Sequence, residues 1–278
     1  MKKLFEKNEK KWNAGRKFMA RFATVCLLLF MLVPVSCVKA QKPREVVVLA
    51  AASLVDVCGE LKSIYEEENP SVKVLFSFGG SGALQAQIES GVPGDLFISA
   101  SNKQMDALLS KSLVEKESVK TLLQNEVVLI TYRENPLSDL TFENLTDEKI
   151  RMVAIGDPMS VPVGQYTEKI CTYLGNWDAV KEKANLAQDV RTVLSWVESQ
   201  ACDCGIVYKT DAASSDKVKV LAAAPENSCP AVLYPAGILS SAKNKADAYR
   251  FEDFLFSKKA AEVFEKYGFT FVTKAQED

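Results

Sequence analysis

No histidine occurs anywhere in the 278 residues. That absence removes Ser-His-Asp and Cys-His catalysis together with every imidazole metal site, so most hydrolases and the receptors that hold zinc or manganese through His are excluded. Internal repeats, low-complexity tracts and Pro/Gly/Ser linkers are also missing, so any two lobes must be joined by strands crossing between them rather than by a flexible tether. The one long apolar run, residues 22–35, falls short of the roughly 20 residues a spanning helix needs. Outside the first forty residues acidic charge outnumbers basic. Those forty carry nine Lys/Arg and two Glu, a surplus of +7 that leaves the remainder near −9 against the formal −2 of the whole chain. An acidic body argues against nucleic acid as a partner. It also means that any anion bound here must be held by local dipoles rather than by a basic field.

The first forty residues differ in kind from the rest. Lys2, Lys3, Lys7, Lys10, Lys11, Arg16, Lys17 and Arg21 precede the apolar run, and Val38-Lys39-Ala40 follows as a small-x-small site. This is the layout of a secretory signal, with cleavage after Ala40 leaving Gln41 as the mature start, and residues 1–40 are set aside from the fold. Two other readings stay open: a lipoprotein junction at Ser36-Cys37, where Pro34 stands in place of the usual Leu, and a retained anchor. Five cysteines remain beyond this segment, Cys58, Cys171, Cys202, Cys204 and Cys229, an odd number. Cys202-Asp203-Cys204 has the look of a metal or redox pair, but its single intervening residue is tight for zinc and no second pair accompanies it. The plainer expectation is a solvent loop with a bridge to Cys229 or Cys171.

From Glu45 onward the pattern alternates strand and helix. Residues 46–50 are a continuous apolar run of the kind buried on both faces of a parallel sheet, followed by helical spacing at Leu54, Val57, Cys58, Leu61, Ile64 and Tyr65 that Asn69-Pro70 stops. Strands are expected at 72–78, 95–99, 126–131, 151–155, 205–208, 217–222 and 231–239. Helices are expected at 83–89, 103–109, 164–174, 190–198, 245–255 and 259–266. Alternation of this sort specifies an α/β fold with right-handed crossovers, and the chain is too long for one ordinary core.

Three times a strand ends in small residues and a helix begins at once. A helix start has unpaired N–H groups and roughly +0.5 of partial charge, which makes it an anion site by construction. The first is Ala50-Ala51-Ala52-Ser53, where Ser53 stands three residues before Asp56 in a capping-box arrangement. The second is Phe78-Gly79-Gly80-Ser81-Gly82, with glycines that let backbone approach a guest and one hydroxyl at Ser81. In the third, Pro158 and Pro162 fix the approach to a helix that begins near Val163. Each alone is explained by helix capping or turn chemistry. Together they favour an anion cradle.

The segments Leu49-Ala50-Ala51-Ala52-Ser53-Leu54, Gly94-Asp95-Leu96-Phe97-Ile98-Ser99-Ala100, Gly156-Asp157-Pro158 with Val161-Pro162-Val163-Gly164, Asp189-Val190-Arg191, Gly205-Ile206-Val207-Tyr208 and Tyr267-Gly268-Phe269 resemble the periplasmic molybdate-binding protein family, in order, from about Val46 to Phe271. The resemblance implies a two-lobed type II periplasmic-binding fold, each lobe a mixed, mostly parallel sheet flanked by helices. Residues 44–125 and 239–278 would form lobe I and 126–238 lobe II. It implies the extracytoplasmic receptor of an ABC importer, periplasmic or held at the cell envelope through Cys37, with no catalytic residues and no cofactor. The receptor would be a monomer that delivers molybdate or tungstate to a membrane permease. The ligand contacts carried over are the hydroxyls and amides of Ser53 and Ser81, the amides of Val163 and Val190, and the Tyr208 hydroxyl. The family often has serines where Gly79, Gly80 and Gly82 stand, so here Ser81 is the sole hydroxyl of its loop.

The chemistry of these groups agrees. A buried dianion is stabilised by converging N–H and O–H donors at about 1.5–3 kcal/mol per charge-assisted hydrogen bond, whereas hydrogen phosphate would bring a proton with no acceptor to receive it. Sulfate, thiosulfate or phosphate is the alternative guest within the class. An enzyme built on Cys202 and Cys204 is the alternative outside it. Two residues have rival readings: Arg191 either touches the anion or forms a salt bridge that orients the helix start, and Tyr208 is either a core residue or a cleft-facing hydroxyl.

Overall fold

The computed structural model describes residues 42–272, so the expectations for the leader, for Cys37 and for the Ala40 site lie outside the described residues. In chain order come Arg44–Ala51 (β1), a 3-10 turn Ala52–Leu54 running into Val55–Glu68 (α1), Val72–Gly79 (β2), Ser81–Glu89 (α2), Leu96–Ile98 (β3), Asn102–Ser110 (α3), Lys120–Asn125 (β4) and Val127–Tyr132 (β5). Val153–Gly156 (β6), Pro162–Tyr173 (α4), Trp177–Glu182 (α5), Ala184–Ala187 (β7), Val190–Glu198 (α6), Cys204–Tyr208 (β8), Lys209–Ala213 (α7) and Val218–Ala223 (β9) follow. Val232–Ile238 (β10), Lys245–Leu255 (α8), Lys258–Lys266 (α9) and Thr270–Phe271 (β11) end the described chain.

The strands form two sheets, ordered β11-β4-β10-β3-β1-β2 and β7-β6-β8-β5-β9. In the first, β1 runs parallel to both β2 and β3, while β10 is antiparallel to β3 and β4. In the second, β6 is parallel to β7 and β8, and β5 is antiparallel to β8 and β9. Strands buried on both faces need no polar alternation, which is why Val46, Val48, Leu49 and Ala50 can all be buried in β1. Helix α6 shows the complementary logic: Val190, Val193, Leu194 and Val197 fall at i, i+3, i+4 and i+7 and are its buried residues. From Pro43 the chain is one compact unit, with a core cluster that includes buried residues of both sheets.

Strand β10 lies inside the first sheet between β4 and β3. The chain therefore returns to that sheet within residues 224–231, ahead of the 238/239 boundary expected from the sequence. The reason is legible in hindsight: Tyr234 and Ala236 pack into the same apolar layer as β1 and β3. Pro235 has no N–H to give to a ladder, and the register with β4 slips between Tyr234 and Pro235, the bulge that a proline inside a central strand requires. Further differences are local, among them the short elements α5, β7, α7 and β11, which were not expected. Helix α2 starts at Ser81, two residues earlier than expected. Strand β4 was not anticipated, because only Leu122, Leu123 and Asn125 of its six residues are buried. Among the described residues no disulfide forms: Cys58, Cys171, Cys202, Cys204 and Cys229 are free, and Cys204 opens β8 with both it and Cys202 buried, so the expected solvent loop with a bridge is wrong.

Candidate functional site

Four helix starts meet at one place. The 3-10 turn carries Ser53, α2 begins at Ser81 with Gly80 as its cap, α4 begins at Pro162 with Val161 as its cap, and α6 begins at Val190 with Asp189 as its cap. None of the N–H groups of Ser53, Ser81, Val163 and Val190 donates to backbone outside its own helix, as the geometry of a helix start dictates. A small cavity is lined by Ser53, Ser81, Val163, Val190 and Tyr208 together with Ala51, Ala52, Gly79, Gly80, Ala100, Val161 and Pro162. The five residues singled out from the sequence thus share one cavity. No Asp, Glu, Lys or Arg lines it.

The hydroxyls around it are arranged as donors. Ser81 is fully buried, and its Oγ accepts the Ala100 N–H at 3.0 Å, which leaves its own hydrogen uncommitted. Tyr208 is 1% exposed and its hydroxyl has no hydrogen-bond partner within the protein. An orphan of this kind costs about 1–3 kcal/mol, so a buried phenol at a cavity wall calls for an acceptor. Burial, with the neighbouring Tyr234, Tyr166 and Asp211, pushes the Tyr208 hydroxyl well above its ordinary range, so it keeps its proton. Tyr208 is therefore cleft-facing as well as packed, its ring meeting Tyr166 and Tyr234 edge-on.

The capping box expected at Ser53 and Asp56 does not form. No side chain caps the 3-10 turn or α1. Ser53 Oγ instead meets the Tyr234 hydroxyl at 2.9 Å, and Asp56 pairs with Arg191. Arg191 is absent from the cavity wall. It reaches from α6 to Asp56 on α1 and lies 3.1 Å from Asp211 Oδ1, with Ser214 as a third partner at 2.9 Å. Of its two readings, the salt bridge holds, although the helix start itself is fixed by Asp189, whose carboxylate accepts the Thr192 N–H at 2.8 Å.

Asp211 has no aligned hydrogen bond to Arg191 despite their proximity, and burial pushes its carboxyl up to about 7, with Arg191 pulling the other way. The folded protein thus holds a proton there that the unfolded chain gives up near the ordinary carboxylate range. Stability from this group is complete in acid and is lost as pH rises toward about 7. Buried Glu252, pushed up to about 7 in the same way, adds to the trend. Asp211→Asn is expected to narrow the difference between melting temperatures recorded at pH 5 and pH 8. An unaltered difference in the variant would show that Asp211 titrates normally.

The cysteines offer no competing chemistry. Burial pushes the Cys204 and Cys171 thiols up to about 12, so neither is a thiolate at neutral pH. Among the described residues no group of three or more His, Cys, Asp or Glu side chains could hold a metal ion.

Two mixed sheets flanked by helices, with helix starts from both sides closing on a neutral cavity, define a type II periplasmic-binding fold, a build for holding a guest rather than transforming one. The chain belongs to the bacterial extracellular solute-binding protein family, whose sequence model matches residues 46–270. It is 39% identical over 229 residues to the molybdate-binding protein ModA of Haemophilus influenzae, covering 81% of this chain and 90% of that one. Over 235 residues it is 37% identical to YvgL of Bacillus subtilis, provisionally named an ABC transporter substrate-binding lipoprotein, covering 84% of this chain and 90% of that one. Among solved structures, the substrate-binding domain of a provisionally titled molybdenum ABC transporter from Clostridium difficile superposes with a TM-score of 0.63 at 37% identity, covering 82% of this chain and 99% of that one.

Proposed function

We propose that the cavity receives a fully ionised tetrahedral oxyanion, molybdate or tungstate, through the hydroxyls of Ser53, Ser81 and Tyr208 and the amides of Ser53, Ser81, Val163 and Val190. The protein is then the extracytoplasmic receptor of an ABC importer and hands its guest to a membrane permease without changing it. The reading is carried by one observation: the buried Tyr208 hydroxyl, unpartnered within the protein, shares an uncharged cavity with two serines and four helix starts. It gains support from the relatives named for molybdate. The receptor acts as a monomer outside the cytoplasmic membrane, and its two lobes swing about the strand connections to admit and release the anion. The relative named as a lipoprotein supports attachment through Cys37.

Competitive calorimetry with molybdate, tungstate and sulfate tests the specificity. Molybdate and tungstate should each displace sulfate, and sulfate binding as tight as molybdate would transfer the protein to the sulfate class. Ser81→Ala should weaken molybdate binding by about 1–3 kcal/mol in a protein that still folds, its melting temperature lower by several degrees because the Ala100 N–H loses its partner. Wild-type affinity in that variant would place the site elsewhere.

A further inference from the structure

Ser53 faces the cavity, but whether its hydroxyl gives or accepts a hydrogen bond is settled two residues further back. Asn125, the last residue of β4, sits with its amide between three groups. Its Oδ1 accepts the backbone N–H of Glu126 at 2.9 Å. A backbone N–H can only donate, so the amide orientation is fixed and Nδ2, which can only donate, points the other way. Nδ2 donates to Thr210 Oγ1 at 2.9 Å and, at 3.4 Å, to the hydroxyl oxygen of Tyr234. The Tyr234 oxygen is thus an acceptor on that side, and its own hydrogen must go to its other polar neighbour, Ser53 Oγ, 2.9 Å away. Ser53 Oγ then accepts from Tyr234, and its single hydrogen is left for the cavity. Asn125, Tyr234 and Thr210 are all buried, so water does not compete for these bonds. Neither Asn125 nor Tyr234 lines the cavity.

We propose that Asn125 and Tyr234 are positioning residues that hold the Ser53 hydroxyl as a donor toward an unprotonated oxyanion, acting on the guest only through Ser53. The proposal rests on the assignment of this cavity as the oxyanion site. It explains why a tyrosine occupies the bulge before Pro235, where a phenylalanine would satisfy the edge-on packing against Tyr208 and Phe269 equally well. The same logic operates at Ser81, where the Ala100 N–H takes the accepting lone pair. In both serines a buried donor behind the hydroxyl turns its hydrogen forward.

The test is a double-mutant cycle read by calorimetric titration of the full-length protein with sodium molybdate, with Tyr234→Phe, Ser53→Ala and both together. Tyr234→Phe keeps the ring contacts and should weaken molybdate roughly tenfold in the native background, because Ser53 is then free to turn its hydrogen away. In the Ser53→Ala background the same change should alter affinity by less than about twofold, since the group through which it acts is gone. Equal losses in both backgrounds would show that Tyr234 matters through packing and would overturn the relay while leaving the site assignment intact. Native affinity in Tyr234→Phe alone would overturn it as well. Native affinity in Ser53→Ala would instead remove the site assignment itself, and the relay with it. Melting temperatures without molybdate, expected to agree across the four proteins within a few degrees, separate these outcomes from loss of fold.

Discussion

Gly82→Ala is expected to lower molybdate affinity by roughly a hundredfold or more while the protein stays folded. Gly82 is the second residue of α2, beside Ser81, and its N–H donates to the carbonyl of Ser160 at 2.9 Å. That carbonyl belongs to the loop leading into α4, on the side of the second sheet. In this chain the Ser160 carbonyl occupies the place of a side chain: a Cβ on residue 82 would stand 2.2 Å from its oxygen and 2.9 Å from its carbon, so the serine the family often has here requires a loop set further back than this one. The loop retreats only at a cost, since Ser160 and Val161 both donate to the Asp157 carbonyl, at 3.1 and 2.7 Å, and Asp157 in turn donates to the Ala187 carbonyl of the sheet at 2.8 Å. Part of the clash is therefore relieved by parting the two sides, on which Ser81 and Val163 line the same cavity. Hydrogen bonds shared by one guest do not survive such a gap, because their useful range ends near 3.2 Å. Calorimetry with molybdate and a thermal melt without it give the two readouts, and affinity within about threefold of native would refute the argument.

Gly164→Ala is expected to cost stability rather than affinity alone, about 3 kcal/mol, seen as a melting temperature lower by roughly 6–12 °C. A methyl there would lie 2.0 Å from the Gly156 carbonyl oxygen and 2.5 Å from its carbon. Both backbones are held in place. Gly156 pairs with Ala187 across β6 and β7, Asp157 donates to Ala187 at 2.8 Å, and α4 is pinned by the buried side chains of Val163, Tyr166, Thr167 and Ile170. A side-chain clash can be relieved by a rotamer; a clash with a carbonyl at the end of a paired strand cannot. A melting temperature within 2 °C of native would mean that α4 can shift at little cost.

The positions of the helix starts were the most legible part of the site. Small residues after an apolar strand, as at Ala50-Ala51-Ala52-Ser53, report a close backbone approach that physics demands of a strand-to-helix turn beside a cavity. The fourth start was harder. Gln188-Asp189 before Val190 lacks that small-residue signature, and only the resemblance pointed to Val190, although Asp189 ahead of the 190, 193, 194, 197 stripe was a usable cap signal. Asn125 and Tyr234 were not found at all. Tyr234 lies 181 positions from Ser53, and no local pattern encodes such a contact; the sole hint was a proline inside an apolar run. The capping box failed for a related reason. Spacing shows that Asp56 can reach the turn, but not that Arg191, 135 positions away, competes for it. The cysteine pair misled because Cys204 is both a motif member and the first residue of a buried strand, and strand burial took precedence.

The two connections between the sheets are unequal. Residue 126 alone separates β4 from β5, while residues 224–231 separate β9 from β10. Glu126 is gripped on both sides, its N–H by the Asn125 amide and its carbonyl by the Lys209 N–H at 2.9 Å. One crossing is a single residue held at both ends and the other a connection of eight residues, so the swing of the lobes proposed above would turn at Glu126. Asn125 stands immediately before Glu126 with its amide committed to Thr210 beyond it. The amide that orients Tyr234 is thus also the group that spans the crossing to Thr210, so the same side chain serves the hydroxyl at the cavity and the joint between the sheets.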